Sequence, residues 1–241
     1  NKNSGAVVCK ATEKSHCAGG ILGGNEDDPI TFKNNTNSGS VTGNDRAGGI
    51  AGYLGNKDHD QIVIATNNTN SGTISATGKD AGGIIGSLAT DNNHHNISFN
   101  TNTGSISGKA CAGGIVGWMA GGGLFEENTN KADILSLESD AGGIVGTIED
   151  DKCEFKNSKV EGKTMVGDQR IILDADYLIK TKNTSKHAGK ICGWDGKRKT
   201  SVDSDTLFAT IFGQGNIIVI AIMAVLLIAA AVIIILVYRK K

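Results

Sequence analysis

Apolar residues in this chain fall in short bursts with one small or polar residue between them, set apart by breaks rich in Asn, Gly and Asp. Ile50, Gly52 and Leu54 form one burst, and Ile84, Gly86 and Leu88 form the next. Ile115, Gly117 and Met119 follow, then Ile144, Gly146 and Ile148. Alternation with a period of two over about five residues predicts short strands. Upstream of each burst lie two smaller apolar pieces. One is a pair, Ile30/Phe32, Ile62/Ile64, Ile97/Phe99 or Leu124/Phe125; the other is a single inward candidate, Val41, Ile74, Ile106 or Ile134. None of these pieces is long enough for an ordinary helix.

The bursts belong to a repeat. The triplet Ala-Gly-Gly begins at Ala18, Ala47, Ala81, Ala112 and Ala141, at spacings of 29, 34, 31 and 29 residues. A second word precedes it: NTNSGSV at 35–41, NTNSGTI at 68–74, NTNTGSI at 100–106 and NTNKADI at 128–134. From the first Asn of that word to the Ala of the triplet takes 12 or 13 residues each time. Such units bury their apolar faces only by stacking on one another. The predicted fold is all-β: a right-handed parallel β-helix-like solenoid with about 30 residues and three short strands per coil. A closed β-sandwich is the alternative, although its strands have no need to share one repeating word.

Stacking sets equivalent residues about 4.8 Å apart in columns. A column of Ile makes a continuous core, and a column of Gly leaves room for the opposite wall or lets the chain turn with positive φ. Asn35, Asn68, Asn100 and Asn128, with the Thr and Asn that follow each, are placed for amide and hydroxyl ladders along the axis. NKNSGAV at 1–7 matches the middle of a period, so further coils are expected upstream. After Ile148 the pattern thins, and HAGKICGW at 187–194 carries Lys190 where the second Gly of the triplet belongs. Regular coils are therefore assigned to 1–152, degenerate coils or a cap to 153–194, and a polar juxtamembrane linker to 195–216.

The segment 217–237 departs from all of this, with 21 consecutive apolar residues and no charge, Gly or Pro. As a helix it spans a hydrocarbon core of roughly 30 Å, so 217–238 is predicted to cross a membrane. Tyr238 suits the interface, and the basic tail 239–241 predicts a cytoplasmic C-terminus with the repeats outside the cell. Lys197, Arg198 and Lys199 on the other flank weaken that orientation, and a tail-anchored cytosolic scaffold shares the same layout. Lys and Arg number 24 against 25 Asp and Glu, and a net charge of −1 gives no electrostatic case for nucleic acid as a partner.

The repeated Gly-Gly-Ile-x-Gly word resembles the GLUG motif, a short repeat of large microbial surface and adhesin-like proteins. The resemblance covers about 1–148 and continues more faintly to Trp194. It implies a solenoid-like stalk or adhesive region and brings no catalytic residues. His-Glu-x-x-His does not occur, so the protease activity of some such proteins is not carried over. The chain has no Leu-Pro-x-Thr-Gly sorting signal, and its single Pro is Pro29.

Few residues suggest chemistry. Cys9 and Cys17 flank an insertion in the first unit, where Gly5 to Ala18 takes 13 residues against 8 or 9 in later units. A disulfide across that hairpin is one reading and two reduced, buried Cys the other. Cys111, Cys153 and Cys192 have no pairing legible in the sequence. His94-His95 and Asp58-His59-Asp60 are compact enough for metal ligands, yet they fall where solvated loops belong. Asp45, Asp80 and Asp140 stand close before their triplets and read as turn residues rather than as a cation column. Sequons occur at Asn34, Asn67, Asn96 and Asn183, although Asn34 and Asn67 are equally placed to join the ladder region. No metal or cofactor is expected. The function expected is a membrane-anchored surface stalk, coat or adhesin without catalytic activity. Its partners are the membrane, a host-surface, matrix or glycan ligand, and copies of itself along the axis. A glycan-binding or glycan-degrading β-helix is the alternative.

Overall fold

The computed structural model describes residues 1–10, 16–26, 28–56, 60–149, 153–167, 179–180, 187–189 and 191–194. Asn1–Thr200 form one compact unit and Ser201–Lys241 a second, of which no residue is among those described. The predicted membrane helix at 217–238, the linker at 195–216 and the tail at 239–241 therefore lie outside the described residues. Among the described residues, no helix is long and apolar enough to cross a membrane.

The first coil holds five short strands: β1 (Lys2–Asn3), β2 (Val7–Val8), β3 (Cys17–Gly19), β4 (Leu22–Asn25) and β5 (Ile30–Lys33). Each begins a parallel sheet that runs along the axis. The first sheet stacks Lys2–Asn3, Thr36–Asn37, Thr69–Asn70, Thr101–Asn102, Thr129–Asn130 and Lys159–Val160 in that order. The other sheets follow the same progression, with one coil's strand hydrogen-bonded to the next, except that the third sheet ends in an added antiparallel strand, Ile179–Lys180, beside His187–Gly189. The frame continues past residue 152: Cys153–Lys156, Lys159–Val160, Thr164–Val166, His187–Gly189 and Cys192–Trp194 each join their sheet.

The solenoid thus has five strands per coil where three were expected. The Ala-Gly-Gly triplet is a strand of its own, as at Arg46–Gly48, and the chain bends at Gly49-Ile50 before Ala51–Leu54 begins. The Asn word likewise splits into Thr36–Asn37 and Val41–Gly43. A second correction concerns the apolar pairs. The register sets Ile30 and Phe32 beside Val63 and Ala65, and His95 and Ile97 beside Gly123 and Phe125. Ile62 is 37% exposed because the inward positions fall one residue on, at Val63 and Ala65, whereas Phe99 is 49% exposed because it stands past the strand His95–Ser98 at a left-handed corner, φ 58°.

Two cores fill the coil. Val41, Ile74, Ile106 and Ile134 of the second sheet pack on the alanines of the third. Ile50, Ile84, Ile115 and Ile144 join Leu54, Leu88 and Met119 against Val63, Ile97 and Phe125 of the fifth sheet. Between the cores the glycine doublet decides the geometry. A Cβ on Gly82 would run into the Ile85 carbonyl oxygen of its own coil and lie 2.7 Å from the Gly117 nitrogen of the next, and one on Gly83 would run into the Gly114 carbonyl oxygen and lie 2.6 Å from Asn102 Cγ. The first Gly lets two sheets close backbone to backbone; the second seats an Asn side chain. Neither is among the positive-φ residues, so close approach, not turning, is what the doublet supplies.

That Asn belongs to a buried ladder. Asn37 Nδ2 donates to Asn70 Oδ1 at 2.8 Å, Asn70 to Asn102 at 2.8 Å and Asn102 to Asn130 at 2.8 Å. Each also donates to the carbonyl two residues on, as Asn70 does to Gly72 at 2.8 Å. A parallel ladder runs Asn35 to Asn68 to Asn100 to Asn128 at 2.9, 3.0 and 3.1 Å. These amides are enclosed yet partnered, the condition under which buried polarity is tolerated.

Candidate functional site

With the interior committed to stacking, chemistry is left to three places. The broadest is the outer face of the first and second sheets. From 35 to 43 burial alternates strictly, and the outward residues are Thr36, Ser38, Ser40 and Thr42. The next coil presents Thr69, Ser71, Thr73 and Ser75, and the one after it Thr101, Thr103, Ser105 and Ser107. Every outward position of these two sheets, in three successive coils, bears a hydroxyl. In the second column each hydroxyl donates a long bond to the preceding coil's backbone: Ser38 to the Asn3 carbonyl at 3.3 Å, Ser71 to Asn37 at 3.4 Å and Thr103 to Asn70 at 3.4 Å. The fifth coil breaks the pattern with Lys131, Asp133 and Leu135, and Lys131 reaches Glu161 of the sixth at 3.7 Å.

The second place is the column just ahead of the triplets. Cys17 pairs in register with Arg46, and Cys111 with both Asp80 and Asp140. Arg46, Asp80 and Asp140 each look onto the residue seven positions on. The Arg46 guanidinium lies 4.6 Å from the Tyr53 ring centroid, Ser87 donates to Asp80 at 2.8 Å, and Thr147 donates to Asp140 at 2.9 Å. Burial pushes the Asp80 carboxyl up, against the Ser87 hydrogen bond and the Arg46 charge 3.8 Å away. Burial likewise pushes the Cys111 thiol far up, so it stays protonated and weakly nucleophilic. The carboxyls find hydroxyl donors across the third and fourth sheets, while Arg46 Nε faces Asp80 Oδ2 at 3.8 Å without a hydrogen bond. Asp80 and Asp140 are thus buried strand residues, not the turn residues their position suggested.

The third place is His95. The sequence reading set the His94-His95 pair in a solvated loop, but only His94 is exposed there. His95 opens the strand His95–Ser98 and is 1% exposed, in the inward column with Gly123 beside it. Its Nδ1 accepts the Val63 amide at 3.1 Å, and its Nε2 has no partner. Burial lowers its pKa to about 4, against the Thr90 backbone and the Asp60 charge, with His94 adding to the fall.

The remaining sites are spread over the coils. Cys9 and Cys17 are half-buried free thiols; burial raises the Cys17 pKa, and Arg46 Nη1 lies 4.0 Å from its sulfur. Cys111 and Cys192 are buried thiols, and Cys153 Sγ lies 3.8 Å from Met119 Sδ. Asn34 and Asn67 are exposed at a left-handed corner, φ 58° and 56°, which separates them from the ladder they precede. Asn96 is half-exposed and accepts the Ser98 hydroxyl at 2.5 Å. Asp45 pairs with Lys79 at 3.0 Å, and Asp60 accepts from Asn92 at 2.6 Å. Asn183, Asp58 and His59 lie outside the described residues. Among the described residues, no three His, Cys, Asp or Glu side chains come together as a metal-ligand group. The hydroxyl face was missed in the sequence, although its signal is plain: Ser or Thr at every second position through the Asn words.

No family model matches the chain, and no solved structure matches it. The curated protein Halomucin from Haloquadratum walsbyi is 27% identical to it over 152 residues. The match covers 58% of this chain and 2% of Halomucin, so the chain spans a small fraction of that relative's length.

Proposed function

We propose that this chain is a cell-surface repeat protein whose solenoid acts as a stalk, coat or adhesin, held in the membrane by 217–238 and carrying no catalytic activity. The observation that carries the reading is the division of labour within the coil. Inward positions are committed to Asn ladders, Gly contacts and Ile columns, while outward positions accept hydroxyl, charged or apolar residues without a change of register. A stacked rod of this kind extends by adding coils and displays a long surface, the mechanical requirement of a stalk or coat. The likeness to Halomucin, a protein named as a mucin, supports the same placement. So does the resemblance of the Gly-Gly-Ile-x-Gly word to the repeats of microbial surface proteins. Protease treatment of intact cells expressing the chain should release the repeat region. Protection until the membrane is permeabilised would contradict the topology.

A further inference from the structure

We propose that the hydroxyl face of the first and second sheets, over the coils at 35–43, 68–76 and 100–108, is a docking surface for an uncharged, extended polysaccharide. The inference rests on the surface reading above for its biological setting and on geometry for its chemistry. The fold does not require these hydroxyls. In the same columns the fifth coil carries Lys131, Asp133 and Leu135, and the sixth carries Lys159, Glu161, Lys163 and Met165, with parallel pairing intact. Twelve successive outward positions of Ser or Thr, in a chain that is 20% charged, therefore need a reason outside the fold.

Charge complementarity names the partner. At the following turn Lys79 pairs with Asp45 at 3.0 Å and Lys109 with Glu138 at 3.8 Å, and cations border the face only at its first-coil edge, where Lys2 stands beside Thr36 and Lys10 near Thr42. An anionic polymer or a nucleic acid would be met by cations. A folded protein would be met by buried aromatic or Arg anchors, and a lipid surface by an apolar stripe. This face offers none of these in its twelve positions. It offers donors and acceptors without charge, which match the hydroxyls of a neutral sugar chain and leave no ion to desolvate. Three coils about 4.8 Å apart set four hydroxyl columns side by side on two short sheets that join at the bend at Gly39, Gly72 and Gly104, so an extended chain running along the axis meets the same hydroxyls at each coil. One such patch binds weakly, and many displayed together gain by multivalency.

The test is retention of the full chain, solubilised in mild detergent, on cellulose, chitin and immobilised mannan, with hyaluronan as the anionic control. Two variants accompany it. Thr69→Lys with Ser71→Lys places Lys where the columns already hold Lys159 and Lys131, and Lys131→Ser with Asp133→Ser and Leu135→Ser extends the hydroxyl grid by one coil. The proposal expects retention on at least one neutral polymer, at least about tenfold weaker in the double Lys variant and stronger in the triple Ser variant. No retention on any neutral polymer would overturn it, as would equal binding by all three chains or a preference for hyaluronan. Inhibition of ice growth without polysaccharide retention would reassign the face to ordered water and also overturn it. Release by protease with no retention contradicts this inference alone; retention by a chain that is protease-protected on cells contradicts only the surface reading.

Discussion

Gly82 and Gly83 are adjacent and chemically identical, yet they answer to different neighbours. Gly82 meets only backbone, Ile85 of its own coil and Gly117 of the next, whereas Gly83 meets the Gly114 carbonyl and the Asn102 side chain together. Gly82→Ala forces backbone against backbone, which no rotamer relieves, and should cost about 3 kcal/mol. Gly23 supplies the control, because a Cβ there would meet nothing closer than the Cys17 carbonyl oxygen at 3.8 Å. Gly23→Ala should leave stability unchanged or raise it by up to about 1 kcal/mol, through the entropy of the unfolded chain. Chemical denaturation of the two variants checks the pair. His95 gives a second expectation at this scale. Its folded pKa of about 4 lies below its ordinary 6.5, so between those values the unfolded chain binds the extra proton. Stability is therefore lost as pH falls through that window, by about 3 kcal/mol in total. Asp80, whose folded pKa is raised, acts in the opposite sense and loses stability as pH rises through its folded pKa. In His95→Gln, denaturation midpoints between pH 7 and 4.5 should fall less steeply than in the parent; an identical slope would show that His95 is not the buried neutral group described.

At the scale of the strand, much was legible and some was not. Ile84 and Leu88 entered the core as expected and the Asn columns became ladders, both consequences of stacking, but Ile84 lies in the bend before the strand Ile85–Leu88, which is buried on both faces and shows no alternation. The strand count did not follow. A three-residue element such as Arg46–Gly48 has too few positions to show a period, and its pairing comes entirely from the coils on either side. The pair Ile62/Ile64 was read one residue out of register because strand-flanking loops differ in length between coils; only the partner strand fixes which residue faces in. His95 was hidden for the same reason, since nothing local separates it from exposed His94. The hydroxyl face was present in the letters, but its meaning depends on knowing that positions two apart share a surface and that neighbouring coils align it.

At the scale of the molecule, the coils are not independent. Each interior strand is hydrogen-bonded on both sides by equivalents from other coils, and the Asn ladders cross coil after coil. Stability in such an array is a sum of unit and nearest-neighbour terms, and the interior opens last. The first coil has a neighbour on one side only among the described residues, and Val8 within it is 52% exposed. The most direct test of the stacked five-strand coil is native-state hydrogen exchange followed by mass spectrometry on the intact chain. Peptides covering 68–88 and 100–119, triplets and Asn words included, should exchange slowest and together, with those covering 1–8 fastest. Rapid exchange across the Ala-Gly-Gly triplets, while the Ile-x-Gly-x-Leu bursts stay protected, would contradict the account.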